Sequence, residues 1–126
     1  MTDKACILYI EDDPEIVGLV KTMLEQRNYQ VLAASTGAEG LATMQRQKPD
    51  LVLLDLQLPD VHGLDLHQKM KANSNLAGIP VVIITAWMDK ALEEYRDEMR
   101  QVEAHLRKPF APTELYQIVA RLLKDH

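Results

Sequence analysis

The chain has 126 residues, 47% hydrophobic and 26% charged, which is one ordinary globular domain with length enough for a core. Its 14 basic and 19 acidic residues leave a net charge of −5, so no basic stripe is available for phosphate backbones and direct nucleic-acid binding is not expected. One cysteine excludes an internal disulfide and fits a reducing cytoplasm, no run approaches the roughly 18 apolar residues of a membrane span, and Met1-Thr2-Asp3-Lys4 lacks a secretion-signal pattern.

Ala5–Ile10 is a short apolar run that reads as a strand, with Cys6 a buried, inert thiol inside it. Glu11-Asp12-Asp13 follows, and Asp13-Pro14 supplies an N-cap acid and a first-turn proline. Ile16, Leu19, Val20, Met23 and Leu24 then recur at helical spacing. Gln30–Ala34 reads as a second strand. Ser35 or Thr36 can cap a helix over 36–47, with Glu39 as the capping-box partner of Thr36. Leu51–Leu54 is a third strand that runs straight into Asp55, and turn chemistry follows at Pro59-Asp60. Gly63–Ala72 is a weaker helical pattern, and Ala72–Gly78 reads as a polar loop.

Pro80–Thr85 is the fourth apolar run. Leu92, Tyr95, Met99 and Val102 fit a fourth helix loosely, and Glu93, Glu94, Arg96, Asp97 and Glu98 fill its solvated face. His105–Arg107 is a brief fifth strand. Pro112-Thr113-Glu114 opens a last helix carrying Leu115, Ile118, Val119, Leu122 and Leu123. Strand and helix thus alternate five times in a single domain over 1–126. That alternation predicts a doubly wound α/β fold: a five-stranded parallel sheet between two helical layers, with right-handed crossovers.

Parallel strands share their C-terminal edge, so Glu11, Asp12, Asp55, Thr85 and Lys108 are expected in one crevice. Alone, Asp55 is compatible with a nucleophile or a metal ligand. Neighbouring carboxylates repel, and a divalent cation removes that penalty. Oxygen-only ligands suit Mg²⁺, with Mn²⁺ as the other candidate, and no His-Cys cluster points to zinc. Metal, ammonium and hydroxyl together match the clamp that phosphoryl transfer requires, with an aspartate as nucleophile.

Four segments carry a family resemblance: Ile7–Asp13, Leu53–Gly63, Ile79–Ala86 and Leu106–Phe110. In order and spacing they resemble the receiver domain of two-component response regulators, over essentially the whole chain. The resemblance implies a flavodoxin-like sheet in the order 2-1-3-4-5 with five helices. It implies that Asp55 accepts phosphate from a sensor histidine kinase or phosphotransfer protein. Asp12 and Asp55 would bind Mg²⁺ directly, Glu11 mainly through a water, and Gln57 through its backbone carbonyl. Thr85 and Lys108 would engage the phosphoryl group, and Lys108-Pro109 would be cis. Such a domain is a switch that catalyses only its own phosphorylation and dephosphorylation, and is a monomer or a phosphorylation-dependent dimer. Its signal would alter the face formed by the fourth helix, the fifth strand and the last helix. The other reading is a pseudo-receiver, an interaction module that works without phosphorylation.

Three positions depart from the family pattern. His105 stands where an aromatic ring usually couples the threonine to the output face, so weaker coupling is expected there. Trp87 lies two residues after Thr85, where this position and Gln57 influence water attack on the phosphoryl group; the indole either shields the site or packs on the fourth helix. Gln101 replaces a glycine near the end of that helix, where a left-handed cap is usual. His62, His67 and His126 have no metal-like partners and are expected to be solvated. The chain closes after the last helical pattern, which fits a single-domain regulator or one receiver of a longer regulator or hybrid kinase.

Overall fold

The computed structural model describes residues 4–124, so the expectation for His126 lies outside the described residues. Five strands form one parallel sheet: β1 (Cys6–Ile10), β2 (Gln30–Ala34), β3 (Leu51–Leu54), β4 (Val81–Thr85) and β5 (Ala104–Arg107). Their order is β2-β1-β3-β4-β5, as the resemblance implied. β1, β3 and β4 are buried along their whole lengths, which is why they read as unbroken apolar runs rather than alternating ones.

Alternate residues feed two cores. Leu8, Ile10, Val52, Leu54, Val81 and Ile83 face one layer, made by α2 (Gly37–Arg46), α3 (Gly63–Ala72), α4 (Met88–Glu94) and α5 (Arg96–Met99). Ile7, Tyr9, Leu51, Leu53, Val82 and Ile84 face the other layer, made by α1 (Pro14–Glu25) and α6 (Pro112–Leu122). Register brings the strand ends level. Ile10 pairs with Leu54, Leu54 with Ile83, and Thr85 with Arg107. Glu11, Asp55, Trp87 and Lys108 therefore leave the sheet along one edge.

The helix starts follow the sequence signals. Asp13 Oδ1 accepts from Glu15 N at 3.0 Å, and Thr36 Oγ1 accepts from Glu39 N at 3.0 Å. The expected box at α2 closes differently, since Glu39 Oε2 accepts from the Ser35 hydroxyl at 3.3 Å rather than from Thr36. At α6, Glu114 accepts from Ala111 N at 2.8 Å, so a carboxylate caps a helix whose N-cap side chain cannot.

Four expectations are corrected. The single fourth helix is two short ones, because Tyr95 (φ −127°, ψ 43°) leaves helical space between α4 and α5. Its ring lies against His62, with centroids 4.9 Å apart. Leu19 is 60% exposed. It sits one residue before buried Val20, roughly 100° around α1, at the rim of the apolar stripe. His67 is only 1% exposed, on the inner face of α3 beside Leu66 and Met70, and His62 is half-buried as the N-cap of that helix; neither is solvated. Gln101 follows α5 in a turn, and α5 ends through Arg100 in right-handed space, so no left-handed cap is needed there.

Candidate functional site

The acids that end β1 and β3 meet. Glu11, Asp12 and Asp55 each present a carboxylate oxygen within 4.8 Å of the others. Glu11 and Asp55 are buried and Asp12 is exposed. Each backbone is pinned by the neighbouring strand: Glu11 N donates to Ala34 O at 2.9 Å, and Asp55 N to Ile10 O at 3.1 Å. Gly63 closes the loop behind Asp55, where a Cβ would stand 2.4 Å from the Asp55 carbonyl oxygen and 2.8 Å from Leu56 Cα.

Lys108 enters from the end of β5. Its Nζ donates to Glu11 Oε1 and, at 3.1 Å, to Asp55 Oδ2. Burial pulls the ammonium toward neutrality, but Glu11 and Asp55 outweigh it and hold the pKa above the usual lysine value. Lys108 is therefore charged at every physiological pH. Its peptide bond to Pro109 is cis, and Lys108 N donates to Thr85 O at 2.9 Å. Thr85 is buried, and its Oγ1 accepts from Trp87 N at 3.2 Å, which leaves the hydroxyl proton free for another acceptor. Gln57 N approaches Asp55 Oδ1 at 3.4 Å.

The donor set fits a hard divalent cation. It offers only carboxylate oxygens, all within 4.8 Å of one another. Glu11, Asp12 and Asp55 are the residues that could hold such a cation.

Two expected residues stand apart from this cluster. Trp87 is 53% exposed, at the lip of a cavity of about 130 Å³ that Gln57 also lines. His105 is exposed on β5 opposite Ile83, among residues of the groove between α5 and α6.

Several contributors were not evident from the sequence. The Tyr9 hydroxyl, buried under the site, donates to Glu11 Oε1 at 3.4 Å, and burial with the Glu11 charge pushes its pKa far up. Asp60 takes Gly37 N at 2.8 Å and Ala38 N at 2.9 Å, tying the loop after Asp55 to α2 and holding its carboxyl below the usual range. Arg107 pairs with Asp89 at 2.8 Å, joining β5 to α4. Only Asp60 carried a signal, an acid directly after Pro59 in a turn.

The family model for the response regulator receiver domain matches residues 7–120. The chain belongs to that family. This receiver domain is 30% identical over 119 residues to the polar-differentiation response regulator DivK of Brucella anthropi, spanning 96% of that protein and 94% of this chain. It is 36% identical over 122 residues, 94% of this chain, to the DNA-binding dual master transcriptional regulator RpaA of Synechocystis, of which it spans about half (48%). Among solved structures it resembles the receiver domain of a sensor histidine kinase from Pseudomonas aeruginosa, at 28% identity and TM-score 0.84, covering 96% of this chain and 98% of that one. That structure holds a magnesium ion in its active-site cleft. A CheY-like receiver domain from Methanospirillum hungatei matches at 28% identity and TM-score 0.87, covering 97% of this chain and 95% of that one. Receiver domains belong to two-component signalling. Among the described residues no helix is long and apolar enough to cross a membrane.

Proposed function

We propose that the chain is a single phosphorylation-controlled receiver domain whose acceptor is Asp55. The observation that carries this reading is the convergence of Glu11, Asp12 and Asp55 within 4.8 Å, with the Lys108 ammonium 3.1 Å from Asp55 Oδ2. An Asp55 carboxylate oxygen attacks the phosphorus of a phosphohistidine on a kinase or phosphotransfer protein. The P–N bond breaks, the imidazole leaves with the electron pair, and an aspartyl phosphate remains. A bound Mg²⁺ or Mn²⁺ supplies charge neutralisation for the transferring group. Asp12, Asp55 and the Gln57 carbonyl are its proposed ligands, with Glu11 acting through water. Lys108 and the Thr85 hydroxyl donate to phosphoryl oxygens. Trp87 and Gln57 flank the approach of hydrolytic water. The signal passes to the face built from α4, α5, β5 and α6, on which His105 lies, in a cytoplasmic setting.

The test is Mg²⁺-dependent binding of beryllofluoride, followed by fluorine NMR. Saturable binding that needs Mg²⁺ and is lost in Asp55→Asn is expected. No binding to the wild-type domain at any Mg²⁺ concentration would instead support a module that works without phosphorylation.

A further inference from the structure

The loop after Asp55 folds back on itself. Gln57 and His62 form an isolated antiparallel bridge, and Gly63 N donates to Leu56 O at 2.7 Å. Backbone contacts alone thus fix His62 relative to the acceptor. Its ring then makes two contacts. Nδ1 accepts from Leu64 N at 3.2 Å and caps α3, while the ring lies on Tyr95 with centroids 4.9 Å apart and planes at 38°.

Tyr95 is the joint between α4 and α5. Its N donates to Ala91 O at 2.8 Å, closing α4, and its carbonyl accepts from Met99 N at 2.8 Å, opening α5. The other end of α4 is tied to Thr85 through Trp87 N. This helix of seven residues is therefore tied at one end to Thr85 and at the other, through Tyr95, to His62. Gln57, His62, Trp87 and Tyr95 line one cavity of about 130 Å³, which gives the joint room to move. His105 lies away from this cavity: it is exposed and lines a separate groove with Met99 and Arg121.

We propose that the His62–Tyr95 ring contact relays the state of Asp55 to the α4–α5 joint. The proposal rests on the phosphorylation reading above and names its route. A group loaded on Asp55 draws on the Gln57 backbone and the Thr85 hydroxyl, and both act on α4, one at each end. His62 and Tyr95 are positioning residues, since neither touches the reacting atoms. Coupling of this kind needs a packed contact whose arrangement both ends bias, and the tilted ring pair at a helix break supplies one.

His62→Asn is the informative variant, because asparagine retains N-capping and removes the ring. Wild type, His62→Asn, Tyr95→Leu and His105→Ala are titrated with beryllofluoride and Mg²⁺. Fluorine NMR reads the site and amide NMR reads Arg96, Asp97 and Met99 in α5. In wild type the α5 amides are expected to shift on binding. In His62→Asn and Tyr95→Leu those shifts fall about fivefold, the scale of an aromatic pair, while beryllofluoride still binds at Asp55 saturably and with Mg²⁺. His105→Ala leaves them intact. The relay is overturned if α5 responds fully in both ring variants, or if His105→Ala alone abolishes the response. Binding to wild type without any α5 shift overturns the relay alone. Absence of binding overturns the phosphorylation reading and the relay with it.

Discussion

His67 carries the clearest tension at the residue scale. It is buried in the layer between α3 and the sheet, and its Nε2 has no hydrogen-bond partner among the described residues. Burial and Lys71 lower its pKa, against a smaller opposing pull from Glu103. A histidine whose folded pKa is depressed contributes full stability above its unfolded value near 6.5 and loses it as pH falls below. His67→Leu removes the orphaned nitrogen and is expected to stabilise the domain by about 1–3 kcal/mol. Urea denaturation at pH 7.5 and pH 6 checks this, and the gap between variant and wild type should widen at the lower pH. Equal stability at both values would remove the account. The sequence did not disclose this burial, because a polar ring in a weakly periodic helix looks the same inside and outside. The acids were legible for the opposite reason: a carboxylate directly after Leu51–Leu54 has little choice but to mark a strand end.

Asp60 shows how one side chain holds two elements together. Its carboxylate takes both amides at the start of α2 while belonging to the loop that carries Asp55. The favourable interaction of an anion with a helix N-terminus lowers its pKa. A depressed carboxyl contributes stability above its unfolded value, near 3.9, and loses it as pH falls through the folded value. Asp60→Ala is therefore expected to lower the melting temperature at pH 7, with the difference shrinking as pH falls below about 4. Amide exchange should quicken at Gly37 and Ala38 before it does elsewhere in α2. Unchanged protection at both amides would contradict the tie. The strands and most helices were readable from local patterns because those patterns are repeated over whole segments. The division at Tyr95 was not, since no proline or glycine announces the residue that leaves helical space, and its ring partner lies 33 positions away in sequence.

The whole molecule is organised so that its acids and its ammonium arrive from different strands. Glu11 is almost completely buried, and its cation is Lys108. Removing one member of such a pair strands the other, and Lys108→Met is expected to cost about 3–5 kcal/mol without metal. Added Mg²⁺ should recover part of this, because the cation competes no longer with an ammonium for Glu11 and Asp55. Calorimetric melts with and without Mg²⁺ read both effects. A Mg²⁺-induced rise in melting temperature smaller than that of wild type would refute the competition. The sheet order was implied by family resemblance, but the sharing of Lys108 between two acids was visible only once the strands were in register.

That sharing also sets a timetable. Asp55 precedes Lys108 by 53 residues. At about 5–20 residues per second, the acidic cluster is synthesised roughly 3–11 s before its own counter-ion. β1 and β3 are neighbours in the sheet and need no later strand to pair. A nascent chain that folds this half early holds its buried carboxylates together with only dissolved cations to neutralise them, and the last strand to dock brings the lysine that releases it from that dependence.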